Sequence, residues 1–150
     1  MTITEFNDIL DFAVAREEEA IAFYRELQRQ AKFADQIEML KDLENMEMGH
    51  IVVIESIRKK GAQIEAIKKI PNLKISEYIV KELDEAELTY QNILIKAMKR
   101  EELSFKLYTE MSVKFPNHEI SDLFRRLASE EAKHKLHFEQ LYDDFLKQGN

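Results

Sequence analysis

EEAKHK at residues 130–135 decides how this chain is read, because MEMGH at residues 46–50 repeats its skeleton of a glutamate, two residues and a histidine. The chain has only four histidines, and two of them stand in this pattern, Glu47 with His50 and Glu131 with His134. Around both pairs, apolar residues recur at steps of three and four, the period of an amphipathic helix. Each pair falls in the middle of its stripe: Leu40, Leu43, Glu47, His50, Ile54, Ile57 in one segment, and Phe124, Leu127, Glu131, His134, Phe138, Leu141 in the other. Two more segments carry the same period, Phe6, Leu10, Ala13, Glu17, Ala20, Tyr24, Leu27 and Tyr90, Leu94, Ala97, Glu101, Ser104, Tyr108, Met111. Each of these has a glutamate at its centre.

Working outward, 150 residues are enough for one domain with a real core, and a single domain over 1–150 is expected. Three glycines and two prolines, against 45% apolar and 34% charged residues, are too few turn formers for a many-stranded sheet. The expected fold is all-α, a four-helix bundle. The first helix should run from about Thr4 to Ala31, and the second from an Asp35 cap, with Glu38 completing a capping box, to Gly61. The third should start near a Ser76 cap, with room for a break near its start, and reach about Lys114. Pro116-Asn117 should turn the chain into a fourth helix ending near Lys147. Short links make two antiparallel hairpins, about 4–61 and 76–147, and the stretch at about 61–76, which holds Pro71, becomes a crossover.

The hairpins are copies of one pattern. AREEEAIAFYREL at 15–27 aligns without gaps on KREELSFKLYTEM at 99–111, pairing Arg16 with Arg100, Glu17 with Glu101, Tyr24 with Tyr108 and Glu26 with Glu110. The offset, 101 minus 17, is 84, and it also carries Leu43, Glu47, His50 and Glu55 onto Leu127, Glu131, His134 and Glu139. A pseudo-two-fold axis is expected.

Residues three apart on a helix lie about 60° apart around it and about 4.5 Å along it, so each glutamate and its histidine point into one region. Four carboxylates and two imidazoles on apolar stripes would be strongly destabilising if unpaired, because taking each charge out of water costs several kcal/mol. No lysine or arginine lies on the stripes to offset them. Two divalent cations would balance four negative charges. A single Glu-x-x-His reads as a solvated surface pair; two copies, each with a glutamate 30 residues upstream (47 minus 17, 131 minus 101), read as a metal site. Carboxylate with imidazole suits iron, with manganese or a mixed pair also admissible.

Neighbouring residues read differently. Glu18, Glu19, Glu102 and Glu130 are expected on solvated faces, and Met39, Met46, Met48, Met98 and Met111 as packing or surface residues. His137 lies off the stripe and His118 at the entrance to the fourth helix, so neither is a ligand candidate. Tyr24 and Tyr108 each follow a central glutamate by seven residues on the same stripe. A buried hydroxyl needs a partner, and a metal-bound carboxylate would serve; plain core tyrosine is the alternative.

Other classes are set aside on composition. No cysteine is present, which removes disulfides and thiolate metal sites. The start, MTITEFNDIL, lacks a basic signal-peptide region, and runs such as IVVI at 51–54 cannot span a bilayer, so a cytoplasmic protein with no membrane partner is expected. A net charge of -7 without a basic cluster argues against nucleic acid.

On EEEAIAFY in the first helix, EELSFKLY in the third and the two Glu-x-x-His motifs, the sequence resembles the ferritin-like superfamily, and within it the rubrerythrin-type di-iron proteins, over about residues 4–147. The resemblance implies two iron ions, with Glu17 and Glu101 as terminal ligands, Glu47 and Glu131 as bridges, and His50 and His134 binding one metal each. Tyr24 and Tyr108 fall where rubrerythrins carry tyrosines beside the ligands. Rubrerythrins have a further glutamate where this chain has Ser104, which leaves the four-glutamate, two-histidine set of bacterioferritin-like sites. They also carry a cysteine-ligated rubredoxin domain, absent here, so electrons would come from another protein. The implied activity is that of an oxidoreductase reducing hydrogen peroxide to water with an external electron-donor protein. The alternatives are a ferroxidase or iron-storage protein oxidising Fe(II) with O2, disfavoured by a chain that stops soon after the fourth helix, and a metal-free helical interaction module. A homodimer is the default oligomer.

Overall fold

In the computed structural model, which describes residues 1–61, 75–78, 89–115 and 118–148, four long helices follow the four apolar stripes. They are α1 (Ile3–Gln30), α2 (Ala34–Gly61), α3 (Tyr90–Lys114) and α4 (His118–Lys147), with a 3-10 turn at Ile75–Tyr78. α1 lies along α2 and α3 along α4, and the two hairpins meet through α1 against α3 and α2 against α4. The arrangement is a ferritin-like four-helix bundle.

The helix ends show why the boundaries fall where they do. Thr2 caps α1 with a full capping box: its hydroxyl accepts from the Glu5 N–H at 3.1 Å, and the Glu5 carboxylate accepts from the Thr2 N–H at 2.8 Å. Asp35 does not cap α2 as expected. It sits within the first turn, where its carboxylate accepts from the Gln36 N–H at 3.0 Å, while the Ile37 N–H reaches the Phe33 carbonyl. The acid there serves the helix dipole rather than the cap. The continuous third helix begins at Tyr90 and not near Ser76: the Thr89 hydroxyl accepts from the Asn92 N–H at 3.2 Å, and Ser76 belongs to the 3-10 turn. The expected crossover around Pro71 and the turn at Pro116-Asn117 lie outside the described residues. The 3-10 turn is tied down where it meets the bundle, for Tyr78 is buried and its carbonyl accepts from the Arg16 guanidinium at 2.9 Å.

The core is divided in two. One apolar cluster gathers Phe6, Leu10, Ile54, Ile57, Met111, Phe115, Phe124 and Leu127; the other gathers Leu27, Leu40, Leu43, Leu94, Phe138 and Leu141. Rings contribute to both, with Phe6 and Phe115 at 5.3 Å and Tyr24 stacked on Phe138 at 4.9 Å. Sealing one Leu or Phe side chain contributes about 1.5–3 kcal/mol, so the clusters together stabilise a bundle that must hold a polar layer between them. Every residue of the four stripes is buried except Tyr90, half-buried at the start of α3.

Candidate metal centre

The polar layer comes from the midpoints of the stripes. α1 contributes Glu17, α2 Glu47 and His50, α3 Glu101, and α4 Glu131 and His134, none more than 3% exposed. Acids are almost never buried to this degree without partners. Ligand atoms from these residues fall into two groups, each within 4.8 Å: Glu17, Glu47, His50 and Glu131 in one, Glu47, Glu101, Glu131 and His134 in the other. Glu47 and Glu131 belong to both. The two imidazoles lie nearly parallel, ring centres 5.4 Å apart.

Each imidazole reaches across to the other hairpin. His50 Nδ1 is 2.8 Å from Glu131 Oε1, 3.3 Å from Glu47 Oε2 and 3.4 Å from Glu17 Oε2. His134 Nδ1 contacts Glu47 Oε1. These approaches are close yet mostly misdirected for hydrogen bonding. Each of the six residues has a buried atom with no hydrogen-bond partner: Glu17 Oε2, Glu47 Oε2, His50 Nδ1, Glu101 Oε2, Glu131 Oε1 and His134 Nε2. Those of Glu17, Glu47, His50, Glu101 and Glu131 converge without bonding one another, as ligand atoms around a cation do, whereas His134 turns Nδ1 to the cluster and leaves Nε2 on the far edge of its ring.

The electrostatics agree. Burial, then the charges of Glu131 and Glu47, push the Glu101 carboxyl well above the usual range. Glu131 is raised by burial and by Glu47. Burial opposes ionisation of Glu47 too, but contact with His134 and His50 outweighs it and the carboxyl is lowered. His50 loses basicity to burial and regains more from Glu131 and Glu47, ending at about 10. Burial is thus the largest influence on each of the three carboxyls, followed by the neighbouring carboxylates for Glu101 and Glu131 and by the histidines for Glu47. Arg100 and Lys96 are buried on α3, but both lie over Phe23, and Arg100 pairs with Glu19. Oxygen and nitrogen donors with four carboxylate charges fit two divalent cations, and the cluster could hold them through the six residues named.

The tyrosines part company. The Tyr108 hydroxyl donates to Glu17 Oε1 at 2.7 Å, crossing from α3 to α1 and holding that carboxylate by one oxygen. Tyr24 lies close enough to Glu101 for the carboxylate to act on it, but among the described residues its hydroxyl meets no acceptor in good hydrogen-bonding geometry. Burial first, then Glu101 and Glu131, keep it protonated far above the usual range.

Glu130 corrects the sequence reading. Its carboxylate contacts His50 Nε2, on the ring edge away from the cluster, with Arg126 Nε 3.4 Å from its other oxygen. Periodicity missed it because Glu130 stands one residue off the apolar stripe, and the repeat missed it because its counterpart, 130 minus 84, is Met46. Glu18 and Glu102 are exposed as expected, whereas Glu19 is half-exposed and held by Arg16 and Arg100. His137 is half-buried, Ser104 is buried one turn beyond Glu101, Met111 packs in the core, and Met46 and Met48 are exposed.

No helix among the described residues is long and apolar enough to cross a membrane. None of the curated proteins matches the chain. Among solved structures, a hypothetical protein from Pyrococcus furiosus is similar at 22% identity and a TM-score of 0.73, covering 99% of this chain and 92% of that one, a likeness of fold. The chain carries, over residues 92–150, a match to the family model described as Rubrerythrin, and this stretch holds Glu101, Glu131 and His134.

Proposed function

We propose that this protein is a di-iron redox protein that reduces hydrogen peroxide to water with electrons from an external donor protein. The observation that carries the reading is the pair of ligand groups sharing Glu47 and Glu131, since shared carboxylates hold two cations side by side. A bound iron pair would supply the two electrons that peroxide reduction consumes. Glu17 with His50 would hold one metal and Glu101 with His134 the other. Tyr108 keeps Glu17 from turning, and Tyr24 Oη retains its proton beside Glu101, a hydroxyl donor facing the centre. The apolar clusters on either side exclude bulk water, which strengthens every charge interaction between them. A homodimer is proposed as the assembly, to be read by light scattering.

Buried Ser104, in place of another carboxylate, favours a second reading in which the same centre oxidises Fe(II) with O2. Anaerobic loading with Fe(II), followed by stopped-flow mixing with peroxide and separately with O2, decides between them. Peroxide is expected to react much faster. Faster reaction with O2 would transfer the protein to the ferroxidase class, and failure to take up iron would end both readings.

A further inference from the structure

We propose that the two subsites are unequal, and that Glu130 is the positioning residue that makes the Glu17–His50 subsite the tighter and the Glu101–His134 subsite the labile one; this rests on the di-metal reading above. Three observations carry it. The Glu130 carboxylate contacts His50 Nε2. The His134 ring is fully buried, and its Nε2 has no hydrogen-bond partner among the described residues. The repeat that maps His50 onto His134 maps Glu130 onto Met46, whose side chain has no oxygen to offer and is 42% exposed.

The chemistry follows from the two nitrogens of one ring. An imidazole that gives its Nδ1 lone pair to a cation keeps its proton on Nε2, and a carboxylate on that N–H fixes the tautomer, orients the ring and makes Nδ1 a better donor. His50 meets these terms: Glu130 takes the Nε2 side while Nδ1 faces Glu131, Glu47 and Glu17. When Nδ1 of His134 binds a cation, its Nε2–H is left in the interior with no acceptor, which disfavours that bound state. Removing such a supporting group typically changes metal affinity 10–100-fold.

The test is anaerobic titration of the full-length, chelator-stripped chain with Mn(II), free ion being counted by electron paramagnetic resonance. Sharing two bridges already makes the second ion bind less tightly than the first, so the response of each step to substitution is what decides. Glu130→Ala should weaken the first step about 10–100-fold and leave the second unchanged, while Glu130→Gln, whose carbonyl still accepts from Nε2–H, recovers part of the loss. Met46→Glu should tighten the second step alone. Circular dichroism of each stripped variant checks that the bundle is intact, a readout that metal affinity does not enter. Equal weakening of both steps by Glu130→Ala, or no change in either, overturns the assignment while the di-metal reading stands. Absence of Mn(II) uptake by the parent chain overturns both.

Discussion

Glu101→Gln, tested without metal, isolates what the polar layer costs the fold. Glu101 is 3% exposed, one of its oxygens lacks a partner, and burial with the charges of Glu131 and Glu47 holds its carboxyl well above its usual 4.5. Folding the metal-free chain therefore works against the ionised form of Glu101, the form the unfolded chain carries at pH 7. As pH rises above the usual carboxyl range the folded metal-free chain thus loses stability relative to the unfolded one, by at most about 1.4 kcal/mol per pH unit. Glutamine has nearly the same shape, needs no proton, and can donate its amide hydrogens to Glu131 and Glu47. The metal-free variant should be more stable than the parent at pH 7 by about 1–3 kcal/mol, the range for relieving a buried polar group without a partner, a rise in Tm of roughly 2–12 °C for a chain of this size. Near pH 4.5 the advantage should shrink, because the unfolded carboxyl then takes up a proton as well. The assay is urea denaturation of chelator-treated protein, followed by circular dichroism at both pH values. With metal present the order should reverse, because an amide is a poorer ligand than a carboxylate. A metal-free variant no more stable than the parent at pH 7, or an advantage independent of pH, would refute the claim that Glu101 is buried against its charge.

The remaining predictions concern the same layer. Glu131→Ala removes a carboxylate common to both ligand groups, and metal analysis after iron loading should find the two ions per chain lost; retention of both would break the ligand assignment. Tyr108→Phe should cost about 1.5–3 kcal/mol in urea denaturation, the range for a hydrogen bond to a charged group, while Tyr24→Phe should cost less because its hydroxyl meets no acceptor in good geometry among the described residues; equal losses would contradict the difference. His50, held at about 10 against a usual 6.5, lends the metal-free protein stability that is full below about pH 6.5 and lost as pH rises toward 10, and the raised Glu101 and Glu131 act in the same direction. Thermal melts of stripped protein from pH 6 to 10 should fall accordingly. Metal uptake must displace those protons, so calorimetry in buffers of different ionisation enthalpy should register net proton release, and its absence would count against ligation by these groups.

Much of this protein is legible along the chain because its information is periodic. Steps of three and four mark one face of each helix, and the burial of Glu17, Glu47, Glu101, Glu131, His50 and His134 follows from their places on those faces. The 84-residue repeat says which residues are counterparts, so the bringing together of two Glu-x-x-His pairs needed only that four amphipathic helices bury their stripes together. Helix starts were less legible at Asp35 and Ser76, since a cap is decided by a single hydrogen bond and not by a pattern. Tertiary structure alone decided that Tyr108 bonds Glu17 while Tyr24 has no such partner among the described residues, although the repeat makes them equals. It also decided that Glu130 turns from the expected solvated face to His50, a pairing across 80 residues for which no local period carries a signal. Periodicity specifies which way a side chain leaves its own helix; what it meets there depends on the rotation and height of the neighbouring helix, and only the packed bundle sets those.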